Sequence, residues 1–158
     1  MRSSTEAPVA QTPIVTSWRG EQRFAVSRPD AAEIVIDGNR TAGPGPVETL
    51  LGALAACTAL DVVSYLAKRR TPASALDIEI ESTRRAEAPR RLVSARLIFK
   101  LSGEGIDAEH AMRAIELTMA SYCSVASSLA ADIVIETRLV LNGLSHEVVR
   151  QAVVPVGV

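Results

Sequence analysis

At 158 residues, with 47% hydrophobic and 22% charged side chains, the chain has the size and balance of one folded domain; single domains run to ~100–200 residues, and disordered chains are poorer in apolar groups. Its 17 basic and 18 acidic residues leave a net charge of −1, with no block of like charge in either half. That excludes the basic surface which nucleic acid or an anionic membrane face would need.

The first 12 residues are polar, lack the apolar run of a signal peptide, and read as a flexible leader, so a cytoplasmic protein is expected. Three short strands come next, over 14–18, 22–27 and 33–37, separated by the turn-prone pairs Arg19-Gly20 and Pro29-Asp30. A loop rich in glycine and proline then runs to Pro46, which suits the first turn of a helix, where a missing N–H costs nothing. From Val47 to about Arg69 there is no proline, and apolar residues occupy almost every side of the expected helix. A helix that is apolar all round must be covered all round. One small sheet covers only one side, so a second helix and a second copy of the chain are expected around it. The long apolar run, Leu50 to Leu60, is too short for a ~20-residue membrane span and is followed by Asp61.

Leu76, Ile78 and Ile80 alternate with acidic residues, and Ala95, Leu97, Phe99 and Leu101 alternate with mostly polar ones. These are half-buried strands, expected to be antiparallel. Between them lies a charged hairpin loop carrying Arg84, Arg85, Arg90 and Arg91, with a proline that neither strand tolerates inside it. Asp107 caps a second helix, in which Ala108, Met112, Ile115 and Met119 recur at helical spacing. A third, short helix is expected over 124–131, then a last alternating strand through Ile133, Ile135, Thr137, Leu139 and Leu141, and a tail over 143–158. The order is βββ-α-ββ-α-α-β, an α+β fold in a single domain over residues 13–142.

The two cysteines, Cys57 and Cys123, are unlike a permanent staple in a reducing compartment, and a bond between them would be transient. Cys57 lies about three turns into the long helix, among Leu50, Leu54 and Leu60. By itself it is an ordinary buried thiol, since free cysteine is usually buried and inert. Asp61, one turn on, would raise its pKa, so a reactive thiolate there calls for a nearby cation. Cys123 immediately precedes a helix start, where the dipole and unpaired N–H groups favour thiolate; equally, Ser121, Cys123 and Ser124 simply cap that helix. Neither cysteine has a partner at metal-ligand spacing, and the histidines are only His110 and His146. Neither a metal nor another cofactor is expected, and a Cys–His hydrolase is disfavoured.

The segment Gly43-Pro-Gly-Pro-Val-Glu-Thr-Leu-Leu-Gly-Ala-Leu-Ala-Ala-Cys57, followed by Asp61-Val-Val and much later by Tyr122-Cys-Ser-Val125, resembles the osmotically inducible/organic hydroperoxide resistance (OsmC/Ohr) family. The likeness covers roughly residues 16–141 and is closest to the YhfA-like branch, which shares the Cys-Thr-Ala-x-Asp-Val-Val pattern and the Arg-Arg-x-Glu-x-Pro-Arg hairpin. The resemblance implies an OsmC-like α+β fold in an intertwined homodimer, with two sites at the subunit interface. It further implies a thiol peroxidase: Cys57 attacks an organic hydroperoxide and becomes a sulfenic acid, Cys123 resolves it as a disulfide, and an external dithiol reductant of lipoyl or thioredoxin type resets the pair.

The family's peroxidase branches carry a glutamate where this chain has Val47. Its neighbour Glu48 is nine residues from Cys57, about half a turn out of phase on a straight helix, and is as well suited to a helix-start charge as to a catalytic one. The family's activating arginine comes from the N-terminal strands. Arg19, in a turn, is the first candidate, Arg23 the second, and the hairpin arginines are alternatives. A non-catalytic relative that senses redox state or binds a small apolar ligand is the competing reading.

Overall fold

A computed structural model describes residues 8–152. It divides into two compact units, residues 1–49 and 50–158. In the first, β1 (Val15–Trp18), β2 (Arg23–Ser27) and β3 (Ile34–Asp37) form an antiparallel meander in the order β1-β2-β3. Each strand begins one residue inside its expected start and ends at its expected end.

Asp37 shapes the loop after β3. Its buried carboxylate accepts N–H bonds from Asn39 (2.9 Å), Thr41 (3.1 Å) and Ala42 (3.0 Å), and an O–H bond from Thr41 (2.8 Å). These donors, the Asn39 N–H foremost, hold its pKa at about 2, below the ordinary 3.8. The loop delivers Pro46 to the first turn of α1 (Pro46–Lys68).

The second unit contains α1 from Leu50 onward, then β4 (Ala75–Arg84), β5 (Leu92–Ser102), α2 (Ala108–Leu117), a π-helical turn (Thr118–Tyr122), α3 (Ser124–Ser127), β6 (Val134–Leu141) and β7 (Leu144–Ala152). Its sheet has the order β4-β5-β6-β7. Alternation in β5 and β6 puts Ala95, Leu97, Phe99 and Leu101, then Ile135, Leu139 and Leu141, into the core. The other face carries cross-strand ion pairs, Lys100 with Glu79 at 2.6 Å and Arg96 with Glu81 at 3.1 Å and Glu136 at 2.8 Å. From the helices the core takes Leu51, Leu54, Val62 and Leu66 of α1 and Ala111, Ala114 and Ile115 of α2.

The strands expected to be antiparallel, β4 and β5, pair so, while β5–β6 is parallel, because α2, the π-helical turn and α3 carry the chain back across the sheet before β6 begins; parallel neighbours need such a crossover. Two expectations change. The third helix is only four residues long, Ser124–Ser127. The expected tail is in fact β7, antiparallel to β6. Its signal was the Asn142-Gly143 pair: both adopt positive φ, 49° and 84°, as a tight hairpin requires. Asn142 also ties the turn to Gly103, accepting its N–H at 3.1 Å and donating to its carbonyl at 3.2 Å.

By length and composition α1 is apolar enough to cross a membrane, with a mean hydropathy of 1.8 over its best window. One row of it is nevertheless buried in this chain's own core.

Candidate active site

Three local features converge on the two cysteines. Cys57 stands on α1, on the flank between the buried row Leu51, Leu54, Thr58 and Val62 and an exposed apolar row. At about 100° per residue, Ala53, Ala56, Leu60, Val63 and Ala67 form that second row, and Leu60 and Val63 are 71% and 42% exposed. The covering expected for every side of α1 is therefore only half supplied by the described residues.

The chain then has to bring Cys123 to α1. Asp107 caps α2, its carboxylate accepting the His110 N–H at 3.2 Å. Beyond Leu117 the helix widens into the π-helical turn, closed by a bond from the Cys123 N–H to the Thr118 carbonyl at 2.8 Å. One-turn π segments often lie at functional sites, where the inserted residue re-aims the side chains beyond it. Here the residue so placed is Cys123, the N-cap of α3, whose sulfur accepts the Ala126 N–H at 3.3 Å.

Both cysteines are free thiols, and they interact through their side chains. Cys57 is partly exposed while Cys123 is fully buried. The Cys57 sulfur lies 3.9 Å from the Ser124 hydroxyl. Thr58 sits beneath the pair; its hydroxyl hydrogen goes to the Leu54 carbonyl at 2.9 Å, which leaves the sulfurs of Met119 at 3.5 Å and Cys123 at 3.8 Å as looser contacts.

The environment separates the two thiols. Burial works against a thiolate at Cys57, yet it is outweighed by the Val125 N–H, the Cys123 thiol, and the hydroxyl and N–H of Ser124, so the Cys57 pKa falls below its ordinary value of 9.0. At Cys123 burial prevails: the Ala126 N–H and the Thr58 hydroxyl pull down, but desolvation and the neighbouring Cys57 push its pKa up. The sequence pointed to helix-start N–H groups acting on Cys123. Those groups mainly serve Cys57, and they supply stabilisation that the sequence had assigned to an arginine.

The candidates Arg19, Arg23 and Glu48 belong to the first unit. Arg19 is ion-paired with Glu33, and Arg23 with Glu21 at 2.6 Å. Glu48 accepts the Gly45 N–H at 2.7 Å and pairs with Arg40 at 2.6 Å. That is the geometry of a helix-start carboxylate. In the charged hairpin, Arg91 grips Asp132 with both terminal nitrogens, at 2.6 and 2.5 Å, and Arg84 donates to the Arg90 carbonyl at 2.6 Å. Among the described residues no group of three or more potential ligands could hold a metal ion.

The family model described as OsmC-like protein matches residues 37–138. Protein YhfA of Escherichia coli strain K12 is 38% identical over 98 residues, which are 61% of this chain and 73% of that protein. Among solved structures, an OsmC-like protein from Mycoplasma pneumoniae aligns with a TM-score of 0.70 at 15% identity, over 84% of this chain and 97% of that one. The organic hydroperoxide resistance protein OhrB of Bacillus subtilis aligns with a TM-score of 0.55 at 12% identity, over 80% of this chain and 97% of that one. At these identities the two structures speak for the fold.

Proposed function

The chain belongs to the OsmC-like protein family, and from that premise we propose that it is a thiol-dependent peroxidase which reduces organic hydroperoxides with Cys57 and Cys123. The observation that carries this reading is the asymmetry of the pair: across Thr58 and Ser124 a partly exposed thiol with a lowered pKa stands near a buried thiol with a raised one.

The chemistry grows out of that asymmetry. The Cys57 thiolate attacks one oxygen of the peroxide; the S–O bond forms as the O–O bond breaks, and the departing alkoxide takes a proton to leave as the alcohol. Cys57 is then a sulfenic acid, which over-oxidises irreversibly if left alone. Cys123 captures it: its sulfur attacks that of Cys57, hydroxide leaves and is protonated to water, and a disulfide forms. Two electrons from an external dithiol, of lipoyl or thioredoxin type, restore both thiols. Such a cycle fits a cytoplasmic oxidative stress defence.

A second copy of the chain completes the proposal. Leu60, Val63 and Leu50 are exposed large hydrophobics on α1, and a self-complementary pairing would cover them. Cys57, on the flank of that face, would then lie at the rim of the interface.

The intact mass after stoichiometric cumene hydroperoxide tests the reading. Loss of two protons, abolished by Cys57→Ser or by Cys123→Ser, is expected; survival of both free thiols would sink it. Turnover with a dithiol must accompany that loss, because Val47, in place of the glutamate of the peroxidase branches, favours a sensor that forms one disulfide and stops.

A further inference from the structure

Thr58 is buried among the reacting groups, and its hydroxyl has more neighbours than it has hydrogens. Its oxygen lies 2.9 Å from the Leu54 carbonyl, 3.5 Å from the Met119 sulfur and 3.8 Å from the Cys123 sulfur. A hydroxyl gives one hydrogen and accepts two. A carbonyl and a thioether only accept, so of these three neighbours the Cys123 thiol alone can give a hydrogen to Thr58. While Cys123 is a thiol, the arrangement is therefore a chain, from the Cys123 S–H to the Thr58 oxygen and from the Thr58 O–H to the Leu54 carbonyl.

That chain reverses without a large movement of any heavy atom. Leu54 precedes Thr58 by four residues within α1, so its carbonyl keeps the helical bond from the Thr58 N–H when the side-chain hydrogen leaves. Turning about the Cβ–Oγ bond swings that hydrogen from the carbonyl to the Cys123 sulfur. A neutral thiol is a weak acceptor and gains little from it. A thiolate shut away from water requires a donor, and Cys123 and Thr58 are both 0% exposed. Bonds to a charged acceptor are shorter and stronger, which draws the 3.8 Å contact in. The Ala126 N–H, 3.3 Å from the same sulfur, is a fixed second donor.

We infer that Thr58 is a hydrogen-bond switch for the resolving step: its hydroxyl turns from the Leu54 carbonyl to Cys123 as that thiol gives up its proton to attack oxidised Cys57. The inference rests on the peroxidase reading and concerns the timing of the same site. In the balanced step the S–S bond forms, the S–O bond of the sulfenic acid breaks, and the departing hydroxide takes up the Cys123 proton as water. Charge sets the order. A Cys57 thiolate opposes a second charge at Cys123, whereas a sulfenic acid is neutral, so the switch operates only after the first thiol has been oxidised.

Disulfide exchange isolates that step from peroxide chemistry. Dithiobis(nitrobenzoate) converts the more exposed Cys57 to a mixed disulfide and releases one thionitrobenzoate; attack by Cys123 then releases the second, and its colour gives the rate. Thr58→Val should leave the first release unchanged and slow the second roughly threefold to tenfold, the loss of one hydrogen bond to a charge tempered by the greater nucleophilicity of a more basic thiolate. The pH midpoint of the second release should move upward, and Thr58→Ser, which keeps the hydroxyl, should restore both rate and midpoint. Thr58→Ala repeats the comparison should valine disturb α1, which circular dichroism reports. A second release as fast in Thr58→Val and Thr58→Ala as in the wild type, a Thr58→Ser protein as slow as Thr58→Val, or a wild type with no second release overturns the inference. A wild type that shows both releases, with the second slowed in Thr58→Val, yet survives cumene hydroperoxide with two free thiols upholds the switch and sinks the peroxidase reading alone.

Discussion

Cys57 and Cys123 meet around Ser124 and Thr58, the Cys57 sulfur 3.9 Å from the Ser124 hydroxyl and the Cys123 sulfur 3.8 Å from that of Thr58. Their pKa values are pulled apart, the first lowered by N–H and side-chain donors at the start of α3 and the second raised chiefly by burial. Alkylation should therefore be selective. Near neutral pH, iodoacetamide should label Cys57 first and Cys123, which is 0% exposed, far more slowly in the folded protein. Because Cys57 itself raises the Cys123 pKa, Cys57→Ala should move that second thiol downward, visible as a lower midpoint in its slow alkylation profile. Peptide mapping after brief labelling decides the order; equal modification of both cysteines would contradict the asymmetry on which the proposed cycle depends.

The lowered pKa of Cys57 has a backbone group, the Val125 N–H, as its largest favourable influence. Val125→Pro deletes that donor at a position in the first turn of α3, where the N–H has no intrahelical carbonyl to lose. A hydrogen bond to a charged group contributes about 1.5–3 kcal/mol, so alkylation of Cys57 near neutral pH should slow roughly tenfold or more. Ser124→Ala, which removes only the hydroxyl 3.9 Å away, should have a smaller effect in the same direction. Far-UV circular dichroism guards against a proline that unfolds the segment, and an unchanged alkylation profile in a folded Val125→Pro protein would remove the amide account.

The helices and strands were legible wherever apolar periodicity was long and cleanly bounded. Pro46 marks the start of α1, Asp107 caps α2, and the alternation through Leu97, Phe99 and Leu101 gives β5 and its inward face. The misread elements depended on signals of one or two residues. Asn142-Gly143 announces a hairpin, but the segment after it, beginning Leu144-Ser-His-Glu, has no apolar alternation to confirm a strand. The π-helical turn has no sequence signature at all, because a one-residue insertion in a helix leaves composition and period almost untouched. At the site, the two motifs around Cys57 and Cys123 singled out the two thiols that the fold brings near each other. The donors around Cys57 were missed because backbone N–H groups belong to every residue, and only folding shows where they converge.

The carboxylate of Asp37 supports the loop leading into α1, and its pKa of about 2 against an ordinary 3.8 makes that support pH-dependent. The folded-state pKa is the lower one, so the contribution is complete above about 3.8 and disappears as pH falls toward about 2. Asp37→Asn should therefore lower the melting temperature at neutral pH, since an amide cannot accept all four bonds and aims its own NH2 at donors. The difference from wild type should narrow as the pH drops through that window. A difference that stays constant from neutral pH to pH 2 would show that the ionised carboxylate is not what holds the loop.

Leu60 gives the test of assembly. Its side chain is 71% exposed, in the middle of the row formed by Ala53, Ala56, Val63 and Ala67, so within one chain it contributes little to the core. Leu60→Glu should consequently leave the circular dichroism spectrum intact while placing a charge in the middle of any pairing between two α1 helices, where it would be buried without a partner. Light scattering should report a dimer for the wild type and a monomer for Leu60→Glu. Leu54→Ala separates this from ordinary core damage: Leu54 is fully buried within the chain, and its truncation should cost about 2–5 kcal/mol of stability with no specific effect on mass. A monomeric wild type, or a Leu60→Glu protein that still dimerises, would mean that the exposed face of α1 is not the contact between copies, and Cys57 could no longer be placed at the rim of an interface.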